Sequence, residues 1–208
     1  MKGLIFKDLL LMVKMNKKVV CVMYVFAAAI AFLGENERYA LMASVFFSLF
    51  IGMHFMMTMT YDGMSAWKQY EWTLPVSRCQ IIAGKYLACL SLVPVSVAGT
   101  AVMYAVRYGI YGNFSLNIFR FSMTAAVLLP VLWCCVCLAL AQWFGYMSVQ
   151  YIRMAGVLIL VVSVNRMPEE LLPLLRNLIR NPLAVVPAVL AVVVFSYFAS
   201  VAGYGRKK

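Results

Sequence analysis

Six apolar runs, separated by short polar or basic connections, leave this chain few ways to fold. They lie near Val19–Leu33, Tyr39–Tyr61, Tyr86–Val106, Phe121–Ala141, Ile152–Asn165 and Leu183–Gly203. A helix rises about 1.5 Å per residue and the hydrocarbon core of a bilayer is about 30 Å thick, so about 20 apolar residues are needed to cross it. The second, third, fourth and sixth runs reach that length. The first does so only if Lys17 and Lys18 snorkel to the headgroups. The fifth is short and carries Arg153 near its start, which keeps a five-span arrangement in competition. With 65% of 208 residues hydrophobic and 12% charged, the chain holds more apolar surface than a soluble domain can hide. The expected class is an all-α polytopic membrane protein of one domain.

The net charge of +11 belongs to the connections rather than to a surface for nucleic acid. With six spans, one side collects twelve Lys and Arg residues and the other six, Arg38, Arg107, Arg120, Arg166, Arg176 and Arg180. The positive-inside rule then places both termini in the cytoplasm, with anionic lipid headgroups as counter-charge. Five spans would strand Arg206, Lys207 and Lys208 outside, so six are favoured. Residues 1–18 lack an uninterrupted apolar stretch, because Lys7, Asp8 and Lys14 break it, and no signal cleavage site follows. At helical spacing Leu4, Ile5, Leu9, Met12 and Val13 form one stripe, which suggests an amphipathic helix on the cytoplasmic face. A second amphipathic passage, residues 166–182, reads as an external re-entrant helix that Pro173 divides.

The segment Tyr61–Tyr86 is the one long polar and aromatic passage between spans. Asp62 and Ser65 are candidate N-caps for a short helix over Ala66–Trp72, and Ser77 for one running from Arg78 into the third span. A solvated loop anchored by interfacial aromatic rings accounts for the same residues. The six cysteines do not form a disulfide framework. Cys134, Cys135 and Cys137 do not converge on one point of a helix, so no metal is expected. His54, the only histidine, stands mid-span with Met53 and Met57 beside it, a candidate for a substrate path or for a hydrogen bond between helices. No catalytic motif is present, and Gly84–Lys85 lacks both the leading glycine and the Ser or Thr of a phosphate loop. The chain is therefore not expected to be an enzyme or to hold a cofactor, and any energy for transport comes from elsewhere.

The order YD, W-x-x-Y, LPVSR-x-x-I and KY between the second and third spans resembles the short permeases of the ABC-2 type, and the opening MKGLIFKDLLL resembles their N-terminus. The resemblance covers the chain and departs at Gly63–Met64. It implies a bacterial plasma-membrane permease that pairs with a second copy or a paralogue. It further implies a separate ATP-binding cassette ATPase that engages residues 62–85 as a coupling helix, with Trp67, Lys68, Tyr70, Trp72, Pro75, Arg78 and Lys85 as contact positions. Transport would then be alternating access, with bends at Pro94, Pro130 and Pro187. The scarcity of charge inside the spans suits export of an apolar or amphipathic cargo, peptide or lipid-like. A membrane scaffold or immunity protein and a secondary carrier are the alternatives from other classes. The gene beside this one discriminates them.

Overall fold

A computed structural model describes residues 2–14, 17–33, 37–65, 67–71, 73–145 and 182–206, together with positions 149, 151 and 155. Most of the described residues are helical, and eight helices have described bounds: α1 Lys2–Lys14, α2 Lys17–Ala31, α3 Glu37–Met64, α4 Trp67–Glu71, α5 Arg78–Leu90, α6 Val93–Tyr111, α7 Leu116–Phe144 and α8 Pro182–Arg206. Four stretches are long and apolar enough to cross a membrane: Tyr39–Met64, Arg78–Tyr111, Leu116–Phe144 and Pro187–Tyr204. They make the chain a multi-pass membrane protein. At 15 residues α2 measures about 22 Å, less than the thickness of the hydrocarbon core. The expected fifth span, apart from position 155, and the external segment 166–181 lie outside the described residues.

Of the three prolines expected to interrupt spans, Pro94 stands at a break between helices. The third span is divided there: α5 ends at Leu90 and α6 begins at Val93, with Pro94 in its first turn. Proline has no N–H to give and crowds the carbonyl four residues back, so the helix restarts where its first turn can use the ring. Helices α7 and α8 run unbroken through Pro130 and Pro187. The expectation that Asp62 caps the next helix is corrected: α3 continues to Met64, so Asp62 lies inside it and its side chain finds ionic partners, while α5 starts at Arg78 behind Ser77 as expected.

Helix α3 is the centre of the bundle, packed against α2, α6 and α7, while α8 lies on α7 and α5. Pairings of side chains give the directions. Lys85 meets Asp62, Ser96 Oγ donates to Ser48 Oγ at 3.2 Å and Gly99 lies on Phe47, so α5 and α6 run antiparallel to α3, and Tyr104 shares a hydrogen bond with Ser122 at 2.7 Å between α6 and α7. Ser196 Oγ donates to the Cys135 carbonyl and Trp143 Nε1 to that of Ala199, so α7 and α8 run parallel. The far end of α2 is closed by α6. Arg107, buried, donates to the Ala31 carbonyl, and Tyr111 Oη donates to that of Phe32 at 3.2 Å. A cation there answers both the unpaired carbonyls and the negative end of the α2 dipole.

Helices approach closely where a side chain is missing, as membrane bundles commonly arrange. A Cβ on Gly99 of α6 would overlap the Phe47 ring of α3, whose centre lies 5.1 Å from that of the tilted Tyr24 ring of α2. Gly99→Ala is therefore expected to destabilise the protein by about 1–3 kcal/mol through overpacking. The double variant with Phe47→Leu should recover most of that loss in a thermal melt in detergent. Equal losses in the single and double variants would show that the two residues do not share the contact.

Candidate functional site

The charged residues of the first helix and of the polar connection, scattered in sequence, meet at one end of the bundle. Helix α1 packs on α5 and α3 through Leu4, Ile5, Leu9 and Met12, four of the five residues of its expected stripe. The fifth, Val13, is exposed, as are Phe6 and Leu10. The stripe therefore faces protein rather than lipid. Docked this way, α1 turns Lys7 toward the end of α3. Its Nζ lies 2.5 Å from Asp62 Oδ2 and 2.9 Å from Asp8 Oδ1.

Asp62 is shared. Lys85 Nζ of α5 stands 3.8 Å from the same Oδ2 and 3.4 Å from Glu71 Oε1 of α4. Tyr204 Oη, near the end of α8, donates to Glu71 Oε2 at 3.4 Å. Two ammonium groups thus face three carboxylates. Asp8, Asp62, Glu71 and Lys85 are all less than 7% exposed. Charges taken from water at this depth persist only when paired, and breaking one pair exposes the cost of the rest. The cluster ties α1, α3, α4, α5 and α8 into a single knot.

Helix α4 is held by its own local chemistry. The Trp67 N–H donates to Ser65 Oγ at 3.2 Å, the cap expected of that serine. The Trp67 ring lies 5.3 Å from Tyr70 and carries Lys7 Nζ 4.3 Å from its centre. Beyond it, Ser77 caps α5: the Gln80 N–H donates to Ser77 Oγ and the Ser77 N–H to Gln80 Oε1, a reciprocal capping box.

The expected contact residues separate into two groups. Tyr70, Pro75 and Arg78 are exposed at this end, and Trp67 is half-buried beneath them. Lys85 is buried in the ionic knot and so presents no surface. The side chains of Lys68 and Trp72 lie outside the described ones. His54 is buried on α3, and Met53 and Met57 on the same helix are half-buried; none of the three reaches the knot. All six cysteines are free thiols, with Cys79 exposed beside Arg78. A cavity of about 170 Å³ opens next to the knot, lined by Glu71, Val76, Arg78, Ile81 and Tyr204.

Sequence reasoning missed Lys7, Asp8, Glu71 and Tyr204. A signal for the first three was present, since carboxylates flanking apolar runs need partners and only nearby lysines offer them. Nothing in the sequence marks Tyr204. A family model described as "ABC-2 family transporter protein" matches residues 3–205. No curated protein and no solved structure matches the chain.

Proposed function

Because the chain belongs to the ABC-2 family of transporter proteins, we propose that it is the membrane permease subunit of an ABC exporter, worked by a separate ATPase subunit that docks on α4 and the connection around it. The observation that carries this reading is the ionic knot. A push on α4 reaches α5 through Glu71 and Lys85, α3 and α1 through Asp62 and Lys7, and α8 through Tyr204. A rigid linkage of this kind turns a local displacement into a movement of whole helices, which alternating access requires. The closely packed polar pairs between α3, α6, α7 and α8 then move as units rather than deforming singly.

Six passes are proposed, with both termini in the cytoplasm of a bacterial cell. The parallel course of α7 and α8 supports a further pass between them, since the connection has to return to the starting end. The functional unit is a pair of permeases, two copies or a copy and a paralogue, with two ATPase subunits. The substrate path runs between the permeases, with His54, Met53 and Met57 retained as candidates for its lining. The cargo is apolar or amphipathic, peptide or lipid-like, as the scarcity of charge along the spans favours.

Cys79 provides the experiment, because it is exposed at the proposed docking surface and Cys21 is the other exposed thiol. In a Cys21→Ser background, a membrane-impermeant maleimide should label Cys79 in inverted vesicles and not in intact cells. Docking of the ATPase subunit should slow that labelling at least tenfold. Labelling in intact cells would place this end outside, and unchanged labelling in the complex would move the docking surface elsewhere.

A further inference from the structure

The end of the bundle that carries the knot has lost its negative surface. Asp8, Asp62 and Glu71 are buried and committed to Lys7 and Lys85, whereas Arg78, Lys14, Lys17 and Lys18 are exposed. Among the described residues no exposed carboxylate stands at this end, and none pairs with Arg78. Arg78 occupies the first position of α5, where the dipole of the helix is positive and a cation is unfavourable. An incoming anion would be attracted by the guanidinium and by the helix together. The guanidinium borders the 170 Å³ cavity, where Val76 and Ile81 supply apolar lining. Glu71 closes another wall, already satisfied by Lys85 and Tyr204.

We propose that this cavity is the socket for an acidic segment of the ATPase subunit, in which an apolar side chain seats on Val76 and Ile81 and a neighbouring carboxylate pairs with Arg78. The inference rests on the permease reading and adds the chemistry of the partner's contact. Charge complementarity selects that partner, because an interface with one sign of charge rejects surfaces of the same sign. Arg78 is a fork-shaped donor suited to a carboxylate, and the apolar lining beside it suits a protein side chain better than a lipid headgroup. Docking at this point bears directly on Glu71, and so on the knot.

The test is titration of the purified ATPase subunit onto the full chain in nanodiscs. Arg78→Glu should weaken binding at least tenfold and Arg78→Lys less than threefold, with binding of the native chain falling steeply as salt is raised. Val76→Trp, which fills the cavity while leaving the charge in place, should also weaken binding tenfold. Substituting lysine for the partner's carboxylate should restore binding to Arg78→Glu alone. Binding within twofold of the native chain for both Arg78→Glu and Val76→Trp overturns the proposal while leaving the permease reading intact. So does an effect of Arg78→Glu confined to nanodiscs containing phosphatidylglycerol, which would assign the charge to lipid. If the native chain binds no ATPase subunit at all, the permease reading itself falls.

Discussion

Replacing Lys85 by methionine is expected to cost about 3–5 kcal/mol, because it leaves Glu71 buried with no cation and Asp62 with Lys7 alone. Methionine keeps the unbranched stem and most of the volume, so the loss reports the charge rather than a cavity. At that magnitude little folded protein should survive extraction into mild detergent, and size-exclusion chromatography would show aggregate in place of a single peak. Two further variants separate ionic pairing from general intolerance. Lys85→Arg keeps the charge and should retain folded protein. Lys85→Met combined with Glu71→Gln removes the carboxylate charge left without a cation, Asp62 keeping Lys7, and should recover much of the loss, since an uncharged group of the same shape is far less costly to bury. If Lys85→Met eluted like the native chain, the three groups would not be the tightly paired, water-excluded cluster described above.

The second large effect concerns α1. Lys7→Gln removes the contact with Asp62, the pairing with Asp8 and the position over the Trp67 ring. A hydrogen bond between charged groups contributes about 1.5–3 kcal/mol, which corresponds to roughly a tenfold to hundredfold shift in the equilibrium that holds α1 on the bundle. Hydrogen exchange reads this directly. Amides of Lys2–Lys14 should exchange ten to a hundred times faster in the variant, while those of α7, which contributes none of the ion-paired groups, should keep their protection. In the complex, the ATPase subunit should still bind, because the exposed docking residues are unchanged, but the permease should lose its influence on ATP turnover. Unaltered exchange in α1 would mean that Leu4, Ile5, Leu9 and Met12 hold the helix alone and that Lys7 transmits nothing.

How much of this was legible in the sequence depends on the range of the interaction. Helix α1, the caps at Ser65 and Ser77 and the short helix at Trp67 were readable because each follows from side chains within a few residues of one another. The residues of the α1 stripe were likewise readable from helical spacing. What they face was not: the same four residues suit lipid or protein, and only the fold shows them on α5 and α3. Asp62 is a sharper case. Next to Gly63 and Ser65 it satisfies the local rule for an N-cap, yet a buried carboxylate between two lysines from distant helices wins over a local hydrogen bond. Lys85, aligned by resemblance with surface contacts, is drawn inward by the same pairing. Pro94 breaks a helix and Pro130 does not. Position explains the difference, because Pro94 stands in a first turn, where its missing N–H has no helical partner to lose.

These results make α4 less a free-standing contact helix than the exposed corner of a knot that reaches both ends of the chain. Two surfaces follow from that arrangement. On the proposed docking, Tyr70, Pro75 and Arg78 would meet the ATPase subunit, and Lys7, Asp62, Glu71, Lys85 and Tyr204 would carry its displacement inward. A substitution in the first group should lower affinity for the ATPase subunit, and one in the second should lower stability or coupling while affinity is kept.

The most direct test of the permease reading is to purify the full chain, tagged and expressed at its native level, from its own membranes and to measure ATP hydrolysis in the eluted peak. A permease subunit should elute with an ATP-binding subunit in equal stoichiometry. The peak should hydrolyse Mg-ATP with sensitivity to vanadate, and an inactivating substitution in the ATP-binding subunit should abolish that activity without dissolving the complex. Elution of the chain without any ATP-binding subunit, from membranes in which it is folded, would contradict the reading and leave a scaffold or a secondary carrier in its place.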